Sequence, residues 1–167
     1  MRNRSLVGMR RVILVVGVLV LAAVGVVAGV ELFAPERSTQ VTDEAAGADD
    51  LTVLKSGTFE GKAGHDVSGR VELVERDGTH YLRFVDYEQT QGPDVFVYLT
   101  PDADPDTTAE VEAGVKVLID GGADGGESTK EGTFLQELPA DVDPEDYSGV
   151  GIWCDRFSTP FGAAALR

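Results

Sequence analysis

The sequence predicts an all-β domain, an antiparallel sandwich or barrel-like fold, behind one N-terminal transmembrane helix. Three observations predict it. An apolar run of 19 residues without a charged or amide side chain, VILVVGVLVLAAVGVVAGV, occupies Val12–Val30. From about Leu51 onward, short runs rich in β-branched and aromatic residues alternate with glycine, proline and aspartate turn signals. No segment after the apolar run shows ten or more residues of helical periodicity.

As a helix, the run is long enough to cross a hydrocarbon core roughly 30 Å thick. A cleaved signal peptide is the rival reading. Its apolar region is normally about 7–15 residues and ends in a small-x-small site. Here ELFAPER follows the run, a poor match to such a site, and no cysteine follows to take a lipid. Arg2, Arg4, Arg10 and Arg11 precede the run, and Glu31 and Glu36 follow it. Basic residues stay on the cytoplasmic side. The expected organisation is a cytoplasmic basic tail at 1–11, a signal-anchor helix at 12–33, an acidic flexible linker at 34–50 and an extracytoplasmic β domain at 51–167. The expected location is the plasma membrane, single-pass, with the N-terminus cytoplasmic.

The chain carries 14 Lys and Arg against 29 Asp and Glu. Setting aside the four arginines before the run and Glu31 leaves ten basic residues against 28 acidic ones, a net charge of −18. That balance excludes nucleic acid as a partner, because phosphate binding needs a basic patch. It suits a solubilising surface, most comfortable where salt screens the self-repulsion. With one cysteine, Cys154, the domain has no internal disulfide, so its stability rests on an apolar core.

The elements follow in order. Ser38–Asp50, STQVTDEAAGADD, is polar and without apolar periodicity, and reads as a tether. Val67, Val71 and Leu73 share one parity, which Val74 breaks. Asp77-Gly78 is a hairpin signal, and THYLRFVDY resumes the strand pattern beyond it. Pro93-Asp94 opens VFVYLT, and VKVLID at Val115–Asp120 is a further short run. Gly121-Gly122 and Gly125-Gly126 make a loop. TFLQELP at Thr133–Pro139, Val150–Cys154 and Phe161–Leu166 complete the strands, and PEDYSG holds one helical turn.

Few constellations carry chemistry. DADPDTTAEVEA at Asp102–Ala113 imitates a calcium loop through three alternating aspartates. It has Thr107 where the sharp turn needs glycine and Ala113 where the bidentate glutamate belongs. His65, His80 and Cys154 supply the count for a copper site, but no histidine or methionine follows the cysteine. The same residues carry no local signature of a Cys–His nucleophile. No metal and no cofactor is therefore expected. In an extended Val150–Cys154 strand, Val150, Ile152 and Cys154 share one face and Trp153 the other, with Gly151. Cys154 then reads either as an inert core residue or as a reactive thiol at a strand end. Asp155 disfavours its thiolate and Arg156 favours it.

Three stretches carry a family resemblance. GTFEGKAGHDVSGRVELVE, LRFVDYEQTQGPDVFVYLT and GTFLQELPADVDPEDYSGVGIWCDRFSTPFGAAAL, in that order, resemble the DM-thirteen domain, an extracellular electron-transfer-type family that accompanies DOMON domains in animals. The resemblance spans about Leu51–Arg167. It implies a compact β domain with Cys154 at the family's characteristic cysteine position, for which a redox role has been proposed. Gly92, Pro93 and Asp94 match the pattern and read as a turn before a strand. This chain lacks a DOMON domain, a haem motif and a second cysteine, so a two-electron cycle needs a partner thiol or a sulfenic acid. The expectation is an accessory electron-transfer or thiol-redox module using Cys154, not an enzyme on its own, with a redox protein partner in trans. The alternative is a non-enzymatic cell-surface module for ligand or protein binding, in which Cys154 is structural.

Overall fold

The computed structural model describes residues 36–47 and 50–167. The expected basic tail and the expected membrane helix at 12–33 lie outside the described residues. Among the described residues no helix is long and apolar enough to cross a membrane.

The described residues form ten strands: β1 (Thr39–Thr42), β2 (Thr52–Thr58), β3 (Glu60–Gly61), β4 (Val67–Arg76), β5 (Thr79–Gln89), β6 (Val95–Thr100), β7 (Val115–Val117), β8 (Lys130–Glu137), β9 (Gly149–Cys154) and β10 (Thr159–Ala165). One short helix, α1 (Thr108–Glu112), lies between β6 and β7. The strands make two five-stranded sheets, ordered β1-β8-β5-β4-β2 and β3-β10-β9-β6-β7. The sheets share one apolar core. Val71, Leu73, Leu82, Phe84 and Phe134 come from the first, and Val97, Leu99, Val150, Ile152 and Cys154 from the second. The fold is thus the sandwich of the two architectures expected.

The β4–β5 hairpin shows how the sequence builds the first sheet. Arg76 pairs with Thr79 across Asp77-Gly78, and both turn residues have positive φ, 52° and 78°. That is the two-residue turn whose twist matches the strands. Leu73 faces the main core. Val74, on the opposite face, is also fully buried, so the broken parity marks a strand covered on both sides. On that outer face Glu72 is 5% exposed and is held by Arg83 and, at 2.9 Å, by Arg70. Arg83 also donates to the Ala46 carbonyl at 3.2 Å.

The segment expected to be a flexible linker departs from that reading. Thr39–Thr42 lies parallel to β8, with Val41 opposite Gly132, while the other strand pairs are antiparallel. Thr39 N donates to Thr129 O at 2.7 Å, and Asp43 N to Thr133 O at 2.8 Å. The unpaired backbone of an edge strand is a template for pairing, and pairing there does not require apolar periodicity. A 3₁₀ turn at Glu44–Gly47 follows. The run expected to be a strand to Asp120 leaves the sheet after Val117. There Ile119 N donates to Gly126 O at 2.9 Å and Asp120 N to Gln136 Oε1 at 2.7 Å. The glycine loop and a side chain thus replace the ladder. The helical turn expected in PEDYSG is a 3₁₀ turn at Pro144–Asp146, capped by Asp143.

Phe84 sits among rings: 4.6 Å from Phe134, 5.0 Å from Tyr87 and 6.2 Å from Phe59 between centroids. It is fully buried. Phe84→Ala is expected to lower the unfolding free energy by about 3–5 kcal/mol, the range for deleting a buried ring. Urea denaturation measures this, and a loss well under 1 kcal/mol would show that the cluster does not anchor the core.

Candidate functional site

Strand β9, GVGIWC, is buried at every position. Its alternation is the one expected. Val150, Ile152 and Cys154 join the core between the sheets, while Trp153 joins Tyr98 and Val111 on the outer face. β9 lies between β6 and β10, and Cys154 is opposite Val95 on one side and Thr159 on the other. Beyond it the chain turns through Asp155–Ser158 into β10.

The loop before β6 closes on this strand end. Gly92 makes the approach possible: a Cβ there would lie 2.9 Å from the Phe161 ring of β10 and 3.2 Å from Val95 Cγ2. Pro93 then presents its carbonyl to Cys154, whose Sγ donates to it at 3.1 Å. Asp94, at φ 53°, turns the chain into β6. Its carbonyl accepts from Asp155 N at 2.9 Å, and its carboxylate pairs with Arg156 Nε at 2.6 Å. Asp155 in turn accepts from Tyr98 OH at 2.8 Å and pairs with Lys116. Burial, reinforced by the hydrogen bond to Asp155, pushes the Tyr98 hydroxyl up to about 12.

The half-buried thiol that a strand-end position suggested is not what the fold makes: Cys154 has no exposed surface. Burial pushes its pKa up. Hydrogen bonds from the Phe157 and Arg156 backbone pull it down, and the Asp94 and Asp155 carboxylates push it up again. The net shift is upward, because desolvation dominates and the Arg156 charge is already paired with Asp94. Arg156 and Phe157, whose backbone bonds the sulfur, are themselves exposed, Phe157 at 53%.

One further residue belongs here, and nothing in its local sequence announces it. Glu127, from the glycine-rich loop, is 2% exposed and accepts from Asp94 N at 3.2 Å through Oε1. Its Oε2 is buried without a hydrogen-bond partner. Burial first, then the neighbouring Glu36, Asp94 and Asp124 carboxylates, push its pKa up to about 7, against the hydrogen bond from Asp94 N, which pulls it down.

The other sequence candidates lie in different surroundings. His65 stacks on Phe161 at 3.7 Å, and His80 pairs with Glu75 along the β4–β5 hairpin. The calcium-like stretch is a helix start: Thr107 Oγ1 accepts from Glu110 N, and Glu110 Oε2 accepts from Thr107 N at 3.0 Å. Thr107 stands where a calcium loop needs glycine because it caps α1. Among the described residues no group of three or more His, Cys, Asp or Glu is placed to hold a metal ion.

The family described as electron transfer DM13 matches residues 58–166, a span that includes β9 and the whole thiol site. The chain belongs to the DM13 family. Comparison with curated proteins and with solved structures gives no match. The family description makes the DM13 domain an electron-transfer type of module, and Cys154 is the one thiol the chain brings to it.

The raised thiol pKa has a stability consequence. The folded state favours the protonated thiol, so this contribution is complete below the free-thiol value of about 8.5 and is lost as pH rises through the higher native value. Relative to Cys154→Ala, the native chain is therefore expected to lose stability as pH rises above the free-thiol value of about 8.5. Urea midpoints for both proteins across that range measure it. A difference that stays constant would mean the buried thiol titrates as a free one does.

Proposed function

We propose that this chain is an electron-transfer module of the DM13 type displayed on the outer face of the plasma membrane. The segment 12–33 is its single-pass anchor, Cys154 is its redox group, and a protein partner in trans completes the couple. The observation that carries the reading is the depth of the thiol. It lies under a four-residue surface turn and accepts hydrogen bonds from the backbone of Arg156 and Phe157. Those bonds favour a thiolate once the turn lifts and water relieves the burial.

The step is a thiol–disulfide exchange. Cys154 loses its proton to solvent, and the thiolate attacks one sulfur of a partner disulfide. The Sγ–S bond forms, the partner's S–S bond breaks, and the departing sulfur leaves as a thiolate that water protonates. A second partner thiolate attacking the mixed disulfide returns Cys154 to the thiol. The module relays the electron pair and is not an enzyme by itself.

The absence of exposed sulfur and the upward pKa favour a second reading, a binding module whose cysteine fills the core. Native-state labelling with 4,4′-dithiodipyridine separates the two. On the redox reading Cys154 reacts faster than the protein unfolds globally, and Cys154→Ser abolishes mixed-disulfide formation while the domain stays folded. Labelling only at the global unfolding rate sinks that reading. In that case Cys154→Ser costs on the order of 1–3 kcal/mol, from a buried hydroxyl.

The anchor is tested separately. Protease added to intact cells is expected to remove a C-terminal tag while the N-terminus stays protected. Recovery of the domain from the medium, cut just after the apolar run, would assign the run to a signal peptide instead.

A further inference from the structure

Among the described residues, Glu127 is the one buried acid at the thiol site whose second oxygen has no hydrogen-bond partner. It is joined to the thiol by a continuous chain of contacts. Glu127 Oε1 accepts from Asp94 N at 3.2 Å. Asp94 holds the turn twice, through its carbonyl to Asp155 N at 2.9 Å and through its carboxylate to Arg156 Nε at 2.6 Å. The residue before it, Pro93, takes the thiol's own hydrogen bond at 3.1 Å. Whatever moves Asp94 moves the cover of Cys154.

We propose that Glu127 is a positioning residue for Cys154: its protonated carboxyl group, acting through Asp94, holds the Asp155–Ser158 turn shut over the thiol, and its ionisation loosens that hold. This rests on the reading of Cys154 as a thiol that is used.

The charged groups that act on Glu127 come from four parts of the fold. Glu36 precedes β1, Asp94 lies before β6, Asp124 belongs to the glycine-rich loop, and Arg156 belongs to the turn. Among the described residues three are acidic, and the cation, Arg156, also pairs with Asp94. A charge on Glu127 is therefore poorly placed while the site is closed. Lifting the turn admits water to the unpartnered oxygen and separates the carboxylates. The sign follows from linkage. The closed state holds the proton more tightly, with a pKa near 7, than an open state with an ordinary glutamate at about 4.3. Closure is complete below the lower value and weakens as pH rises through the upper one, by up to ~500-fold in the opening constant.

The experiment uses the full-length chain in detergent micelles and compares the wild type with Glu127→Gln, which keeps an oxygen for Asp94 N and carries no charge. Amide hydrogen exchange at Asp155, whose N–H bonds Asp94, reads the opening of the turn. The ratio of wild-type to variant rates cancels the intrinsic pH dependence of exchange. The ratio is expected to be near one at pH 4 and to rise at least ~10-fold by pH 7.5. The Asp94 amide shift is expected to titrate near pH 7 in the wild type only. A flat ratio, or an Asp94 amide that does not titrate, overturns the proposal. Asp94→Asn serves if Glu127→Gln does not fold. Asparagine tolerates the left-handed backbone at this position, and removing one carboxylate should speed Asp155 exchange at pH 5 and move the titration downward; no change in either overturns the proposal. Cys154 labelling in the same samples keeps the two ideas apart. Fast local labelling with a flat exchange ratio leaves the thiol reading standing and removes Glu127 from it. A rising ratio with labelling only at the global unfolding rate keeps the latch and removes the redox thiol.

Discussion

Burial of β9 on both faces is the constraint from which the rest of the structure follows. Its inner face, Val150, Ile152 and Cys154, closes the core between the sheets. Its outer face must also be roofed, and the sequence provides for that with small residues. A Cβ on Gly149 would lie 2.2 Å from the Asp102 carbonyl, so only glycine lets the 101–105 segment run this close. Trp153 completes the outer face against Tyr98 and Val111 of α1. The aspartate-rich stretch is thus a roof over the central strand, and its acidic side chains are the wet side of that roof. A strand enclosed in this way can end only where a side chain is again allowed water, and that residue is Asp155.

The parts of this arrangement that were legible in the sequence are those set by alternation and turn chemistry. The β4–β5 hairpin, β6, β8, β9 and the inward aim of Cys154 all follow from residues adjacent in the chain. β1 and β2 do not. β1 is recruited by backbone groups on the edge of β8. β2 is an edge strand with a register shift between Val53 and Lys55, and it leaves Val53 47% and Leu54 39% exposed, so neither strand shows a buried stripe. The depth of the thiol was illegible for a related reason. Pro93 is 61 positions from Cys154, and Glu127 reaches Asp94 from a glycine-rich loop 33 positions on. Gly92-Pro93-Asp94 reads correctly as a turn, but nothing local says which strand end the turn will cover.

Electrostatics sharpens the picture of that strand end. After the apolar run the chain has ten basic residues, and two of them, Lys116 and Arg156, are committed to the turn that covers Cys154. Both pairs are partly exposed, Lys116 with Asp155 and Arg156 with Asp94. Such pairs contribute only about 0–1 kcal/mol each. They fix the geometry of the turn more than its stability.

The magnitudes also decide whether a fully buried thiol must be an inert one. The cover over Cys154 is held by Asp155 N to Asp94 O, Sγ to Pro93 O, the Arg156 and Phe157 backbone bonds to the sulfur, Tyr98 OH to Asp155, and those two ion pairs. At about 1 kcal/mol net for each hydrogen bond and less for each exposed pair, lifting the whole cover costs roughly 5–7 kcal/mol. Global unfolding of a domain costs about 5–15 kcal/mol, and surface turns open at the low end of the range below it. The aromatic core around Phe84 contributes to the second figure and not to the first, because no ring of that cluster touches the turn's hydrogen bonds. A cost of roughly 5–7 kcal/mol uncovers the sulfur in about one molecule in five thousand to one in a hundred thousand at any moment. On the proposed redox reading, burial at that population slows the thiol's reactions without abolishing them, and the proposed Glu127 proton acts on the same opening free energy.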